Sequence, residues 1–164
     1  MPYRSGSARP TRNPQVTSSF NQTADAIAHA ADLTDGDWAP VDLRTFESTR
    51  RPFIHVLGDA SVAGAQPKCG YAANAEAKAC AAAVLAQLRS EPLPSPADAN
   101  TCYTVVVADY GISVVTQYRL SDDGSQIQAI GGGTTPLDAS TEDLRREAAH
   151  AHAWYRNFVR DVFG

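Results

Sequence analysis

The spacing of apolar residues predicts two long helices. Residues 70–90 are dominated by alanine, the best helix former, and their small side chains predict a helix that packs closely on both sides. Near the carboxyl end, apolar residues recur at alternating gaps of four and three, which predicts one face of a long amphipathic helix. Ser140 and Asp143 precede that pattern at the spacing of a capping box. The recurring positions are Leu144, Ala148, Ala151, Tyr155, Phe158 and Val162.

Strand patterns lie before and between these helices. Residues 101–108, 112–120 and 126–130 are rich in β-branched and aromatic residues and are joined by short Asp/Gly turns, which predicts a three-stranded antiparallel meander. We expect the glycine triplet at 131–133 to end it. The apolar run at 53–57 stops at Gly58-Asp59, which is typical of a buried strand ending at a tight turn.

Together these elements predict an α+β fold. A partial α/β strand–helix unit is followed by the three-stranded antiparallel meander and a C-terminal amphipathic helix. A short helix at 22–31 precedes them. We expect residues 1–20 to be a disordered tail, since they combine breakers with no periodicity. Residues 21–92 then form a partial α/β segment, and residues 93–164 form a C-terminal domain of strands and a terminal helix.

Charge and hydropathy exclude several classes of function. Acidic residues outnumber basic ones by 18 to 14, for a formal charge of -4, so nucleic acid is not an expected partner. No apolar run approaches the ~20 residues that span a bilayer. The first thirty residues lack the apolar core of a secretory signal, which favours the cytoplasm for the chain as written.

The cysteines do not form a metal or haem pattern. There are three, Cys69, Cys80 and Cys102, with no C-x-x-C pair and no C-x-x-C-H sequence. His150 and His152 are two residues apart on a predicted helix and point in different directions, so no metal site is expected. Cys80, in the middle of an alanine-rich helix, is most simply a small core residue.

The turn at Gly58-Asp59 and the helix that begins near Gly70 suggest a ligand site. The start of a helix carries free N–H groups and partial positive charge, which suit an electron-rich ligand oxygen. An aspartate after a strand-end glycine can accept hydrogen bonds from sugar hydroxyls. This arrangement resembles the second FAD-contacting segment of flavoproteins with two dinucleotide domains.

A longer resemblance is more specific. The segments WAPVDLRTFEST (38–49), FIHVLGDASVAGAQPKCGYAANAEAKA (53–79), NTCYTVVVADYGISVVTQYRL (100–120) and AWYRNFVRDVFG (153–164) resemble the C-terminal region of the flavocytochrome c sulfide dehydrogenase flavoprotein. The resemblance implies sulfide oxidation through a redox cysteine and FAD, with electrons passing to a c-type cytochrome subunit in the periplasm.

The resemblance also implies roles for individual residues. Cys102 matches one member of the family's redox cysteine pair. Gly58 and Asp59 match the FAD-contacting turn, and Lys68 and Gly70 match the region near the isoalloxazine. Trp154 matches an aromatic residue near the flavin.

The departures from the family leave alternatives open. The glycine fingerprint G-x-G-x-x-G that holds the FAD pyrophosphate has no counterpart here, so we expect the chain to need an FAD domain or its full-length form. Cys69 stands where the family usually has serine; it is either a tolerated change or a substitute for the absent redox partner. Besides a sulfide dehydrogenase part that is inactive alone, the chain fits a non-catalytic remnant that docks to a cytochrome or flavoprotein. A quinone-linked flavin enzyme is a third reading, which the absence of a basic amphipathic tail disfavours.

Overall fold

The computed structural model describes residues 23–164, so the tail predicted at 1–20 lies outside the described residues. In chain order, the elements are α1 (Ala26–Ala30), β1 (Ala39–Pro40), a 3-10 turn (Gly58–Ala60), β2 (Ser61–Val62), α2 (Gly70–Leu88), β3 (Ala97–Val107), β4 (Tyr110–Leu120), β5 (Ile127–Thr134) and α3 (Thr141–Phe163). The predicted α+β class is confirmed: helices combine with an antiparallel sheet of order β3-β4-β5.

The strand predicted at residues 53–57 is wrong. Phe53 adopts a φ of 63° after Pro52, and its side chain is 91% exposed. Its N–H donates to Glu47 Oε1 at 2.7 Å, which holds the turn. Within residues 53–57 the one β-bridge joins His55 to Glu47, and the next strand, β2, begins only at Ser61. The end of the run still packs inward, because the half-buried Val56 and Leu57 contact the core, so the hydrophobic signal marked a loop that is buried only in part.

Helix α2 forms where alanine content predicted it. Its buried positions follow helical spacing and make one stripe, formed by Ala72, Glu76, Cys80, Ala83 and Ala86. The expectation of packing on both sides is wrong, because Leu85 and Leu88 on the remaining surface are exposed. The burial of Cys80 raises the pKa of its thiol and agrees with its predicted role as a core residue.

The meander continues through the glycine triplet that was expected to end it. Gly131, Gly132 and Gly133 pair with β4, and a register shift between Gln117 and Tyr118 accommodates the extra residue in β5. Glycine is required at 132, where φ is 156° and a Cβ would lie 2.2 Å from the carbonyl oxygen of Val115. The triplet is therefore a site of close strand approach.

Helix α3 begins with the predicted capping box, since Ser140 Oγ accepts from the Asp143 N–H and Asp143 accepts from the Ser140 N–H. It packs on one face of the sheet, and a Cβ on Gly111 would lie 2.5 Å from the backbone nitrogen of Ala148. Ala148 and Ala151 are buried, whereas Tyr155 and Val162 of the predicted apolar face remain exposed.

The two parts of the chain share packing around Leu43. This side chain contacts the cluster of Val41, Phe46, Ala63 and Cys80 and also the cluster of Tyr118, Leu120 and Ile127 on the sheet. Helix α2 also contacts β3 directly. Within residues 23–164, no helix has both the length and the apolar character needed to cross a bilayer.

Candidate functional site

Two cysteine thiols and one amide meet where the beginning of α2 lies beside β3. Cys69 is the N-cap residue of α2, and its thiol donates to Asn100 Oδ1 at 3.1 Å. Asn100 Nδ2 donates in turn to Cys102 Sγ at 3.5 Å. Asn100 and Cys102 are two apart on β3, so they share a face of the sheet. The predicted redox thiol therefore lies one side chain away from the N-terminus of α2.

The N-terminus of α2 keeps its positive character. The Cys69 side chain makes no capping hydrogen bond to the helix, because its thiol is directed at Asn100. The first turn contains no acidic residue, and a Cβ built on Gly70 meets nothing within 4 Å. Free N–H groups at such a helix end favour an electron-rich oxygen.

The Gly58-Asp59 turn packs against the same helix. Gly58 has a φ of 62°, and a Cβ there would lie 3.0 Å from Ala73 Cβ. Its N–H donates to Glu76 Oε2 at 2.6 Å, and Glu76 is only 2% exposed. The carboxylate thus fixes the backbone of the turn against α2. The side chain of Asp59 is exposed and free to face a ligand.

Lys68 holds the turn from its other side. Its Nζ donates to the carbonyl oxygens of Asp59 at 2.8 Å and Ser61 at 2.7 Å. The ammonium also lies 3.8 Å from the ring centroid of Trp38, a cation–π contact. Desolvation of this nitrogen lowers the pKa of Lys68, although the charges of Asp59 and Glu76 act in the opposite direction. A cavity of about 100 Å³ lies between these groups, lined by Trp38, Gly58, Lys68 and Glu76 among others.

Trp154 reaches this region from α3. It stacks on Tyr71, in the first turn of α2, with ring centroids 5.3 Å apart, and on Phe158 at the same distance. Tyr103 of β3 lies 6.4 Å from it. Burial, with smaller effects from Tyr71 and Glu147, raises the pKa of Tyr103. The stack lines a groove of about 320 Å³ between α2 and α3.

All six residues singled out from the sequence therefore lie around the first two turns of α2. Different contacts connect them to this helix. Gly58 and Asp59 form a turn that packs on the helix, and Lys68 donates hydrogen bonds to the carbonyl oxygens of Asp59 and Ser61. Cys102 joins Gly70 through Asn100 and Cys69, and Trp154 joins it through Tyr71. Cys102 and Trp154 approach from opposite faces of the sheet, because Cys102 and Tyr103 are adjacent on β3.

Sequence reasoning missed Asn100, Glu76, Tyr71 and Trp38 as members of the site. Two of them carry a signal that was available: asparagine is disfavoured inside a strand, and Glu76 is an isolated acid in an alanine-rich helix. Neither signal indicates which residue the side chain contacts. The aromatic residues had no distinctive spacing.

The donor set fits the isoalloxazine end of a flavin: an uncapped helix N-terminus, an exposed aspartate after a tight glycine turn, and a thiol on the adjoining strand. The fold and this site thus have the features expected at the edge of a flavin site in a flavoprotein. Residues 94–163 match the family model described as flavocytochrome c sulphide dehydrogenase, flavin-binding, so this part of the chain is similar to that family. The recognition made from the sequence is confirmed there, and the family implies FAD as the cofactor.

The match covers Cys102, Asn100 and Trp154 but not the Gly58-Asp59 turn, Lys68 or Gly70. The proximity of the two groups is therefore a finding of the structure, whereas the roles of the individual residues stay predictions. The family name associates the flavoprotein with a cytochrome c.

Proposed function

We propose that this chain supplies one edge of the flavin site of a sulfide dehydrogenase. The overall reaction removes two electrons and one proton from HS⁻, leaves sulfur at the zero oxidation level, and reduces two ferric haems of a c-type cytochrome by one electron each. The observation that carries the proposal is the position of Cys102, whose sulfur is joined to the N-cap of α2 by the single amide of Asn100.

In this proposal Cys102 is the residue that contacts sulfur. Its side chain is exposed, in contrast to the buried Cys80, and thus accessible to a small anion such as HS⁻. The positive end of α2 nearby would attract that anion. FAD, when bound, supplies the two-electron acceptor for the site.

The remaining residues would bind and orient the cofactor. Asp59 would accept from ribityl hydroxyls, while Gly58 keeps the backbone close to α2. The N–H groups after Gly70 would face the pyrimidine end of the ring. Lys68 would act mainly by holding the turn, since its ammonium already donates to two carbonyl oxygens, and Trp154 would border the ring region through Tyr71.

The proposed division of labour follows the sequence boundaries. Residues 21–92 would contribute the flavin-facing turn and helix, and residues 93–164 the thiol strand and the interface with the cytochrome. A glycine-rich turn for the pyrophosphate would come from an FAD domain supplied in trans or by a full-length form, because no segment of residues 1–164 reads G-x-G-x-x-G. The periplasm is the compartment that this reading implies.

A second candidate is a non-catalytic module that docks to a cytochrome or flavoprotein. The observation in its favour is the apolar face of the sheet opposite α3, where Val106 is 59% and Val114 is 53% exposed. Exposed apolar surface of this kind is typical of an interaction site.

A flavin titration separates the two candidates. FAD fluorescence would be followed while the chain is added, alone and together with a flavoprotein fragment that contains G-x-G-x-x-G. We expect saturable binding, at one flavin per chain, only in the mixture. Saturable one-to-one binding by the chain alone would contradict the need for a second domain, and none in either arm would favour the docking module.

Matched variants test the site in the same mixture. Asp59→Ala should weaken FAD binding about tenfold, as expected for loss of hydrogen bonds to a charged group. Asp122→Ala, an exposed aspartate in the β4–β5 turn, should leave it unchanged. Cys102→Ser should retain flavin binding but abolish the bleaching of flavin absorbance by sulfide. Equal bleaching with and without Cys102 would refute its proposed role.

A further inference from the structure

We propose that Asn100 is a positioning residue that makes the two neighbouring thiols unequal, holding Cys69 as a hydrogen-bond donor and presenting Cys102 as an acceptor. Cys102 is then the thiol that reacts. This role rests on the proposed function for its biological meaning, but the chemistry belongs to the chain without a cofactor. The side chain of Asn100 forms a hydrogen bond with each of the two sulfurs.

An amide can impose this inequality because its two ends differ. The oxygen of Asn100 only accepts and its nitrogen only donates, whereas a thiol can do either. With Oδ1 toward Cys69 and Nδ2 toward Cys102, the Cys69 proton is engaged and the lone pairs of Cys102 receive an N–H. Hydrogen bonds that donate to sulfur stabilise the thiolate, which is the nucleophile.

The orientation of the amide follows from its surroundings. The N-terminus of α2 carries partial positive charge, which favours the amide oxygen beside Cys69 and disfavours the amide nitrogen there. Asn100 is only 4% exposed, so solvent offers little competition for either end of the amide. Rotating a buried amide by 180° is costly when its oxygen and nitrogen are matched to different partners.

The difference in solvent exposure between the two thiols also favours reaction at Cys102. Cys102 is exposed, Cys69 is half-buried and Cys80 is buried at a distance from this pair in the core of α2. Cys80 therefore serves as an internal reference for the folded state, because it should become reactive only when the protein unfolds.

Site-resolved alkylation tests the proposal on the chain as it exists. The protein would be treated with iodoacetamide at neutral pH and each cysteine followed by mass spectrometry. In this reaction the Cys102 sulfur forms a bond to carbon, iodide leaves, and the thiol proton passes to the buffer. We expect Cys102 to react at least about tenfold faster than Cys69, the factor that one hydrogen bond to a charged group can supply.

Replacing Asn100 by a residue of nearly equal shape should remove the difference in reactivity between Cys102 and Cys69. In Asn100→Asp, both carboxylate oxygens accept, so both thiols are held as donors, and the Cys102-to-Cys69 rate ratio should fall about tenfold. Asn157→Asp, an exposed asparagine on α3, is the matched control and should leave the ratio unchanged. A folded Asn100→Asp protein with the wild-type ratio would overturn the proposal.

The Cys69 side provides a second test that does not alter the buried amide. Cys69→Ser keeps a proton donor to Oδ1 and should leave the Cys102 rate within about twofold of wild type, whereas Cys69→Ala removes the donor and should slow Cys102 several-fold. Equal Cys102 rates in these two variants would overturn the proposal even if the Asn100 variants fail to fold. Since flavin is absent throughout, a negative flavin titration and a negative alkylation result are distinguishable.

Discussion

At the residue scale, several charged or polar side chains act by fixing backbone geometry. Glu76 accepts from Gly58 N–H, and Lys68 donates to two carbonyl oxygens of the same turn. The Gly58-Asp59 segment is thereby held between an anion and a cation. Lys68 was identified from the sequence only by the family resemblance, and its partners show a structural reason for a lysine at this position.

Replacement of Lys68 should loosen this turn. Lys68→Met keeps most of the apolar stem but removes the donor to the Asp59 and Ser61 carbonyls and the contact with Trp38. We expect the free energy of unfolding to fall by about 1–3 kcal/mol, the range for charged hydrogen bonds and a cation–π contact. Urea unfolding followed by circular dichroism measures it.

Lys78→Met is the control for that experiment. Lys78 forms an ion pair with Asp161 on the surface, at 2.7 Å, and exposed pairs contribute about 0–1 kcal/mol. If both substitutions change the unfolding free energy equally, the Lys68 ammonium does not have the role assigned to it.

At the element scale, the contact between the sheet and α3 depends on the absence of a side chain at Gly111. A Cβ there would lie 2.5 Å from Ala148 N and 2.7 Å from Ala148 Cα, which are backbone atoms that cannot rotate away. The helix therefore approaches β4 closely at this point. Helix position in turn sets where Trp154 stacks on Tyr71.

Gly111→Ala should displace α3 from the sheet. We expect a loss of about 1–3 kcal/mol in the free energy of unfolding, as for an overpacked core, and weaker near-ultraviolet circular dichroism from the Trp154 stack. Gly133→Ala is the matched control, because a Cβ at 133 meets nothing within 4 Å. Its effect should be near zero or slightly stabilising. Equal destabilisation by both would show that the loss reflects strand conformation and not the approach of α3.

At the scale of the whole molecule, apolar surface remains uncovered. Val106, Ile112 and Val114 are exposed on the sheet face that carries Cys102, and Leu85 and Leu88 are exposed on α2. The exposure of the sheet face depends on strand register and on which face α3 covers.

This surface should bind a hydrophobic dye. We expect ANS fluorescence to rise on mixing with the native chain and to fall when Val106 and Val114 are both replaced by threonine, which preserves β-branching while adding polarity. Leu137→Ser, at an exposed leucine outside the sheet, should leave the signal nearly unchanged. An unaltered signal in the double variant would locate the dye elsewhere, and no dye binding at all would refute the expectation.

The parts of the fold that could be predicted are those determined locally. The alanine content of α2, the capping box at Ser140 and Asp143, and the β-branched runs of the meander each stabilise their element through near neighbours in sequence. The strand predicted at 53–57 failed because an apolar run reports burial, and burial is also met by a loop whose last residues reach the core.

The sequence by itself determined these elements and the identity of the candidate thiol, because periodicity, caps and a matching segment are properties of neighbouring residues. Tertiary structure alone decided that the side-chain amide of Asn100 forms hydrogen bonds with both Cys102 and Cys69, which lies 31 positions earlier in the sequence. It also decided that Glu76 anchors Gly58 and that glycine at 132 permits close pairing with β4. Such contacts join positions that are distant in sequence. They arise only when α2 packs beside β3 and the strands of the sheet pair in their native register.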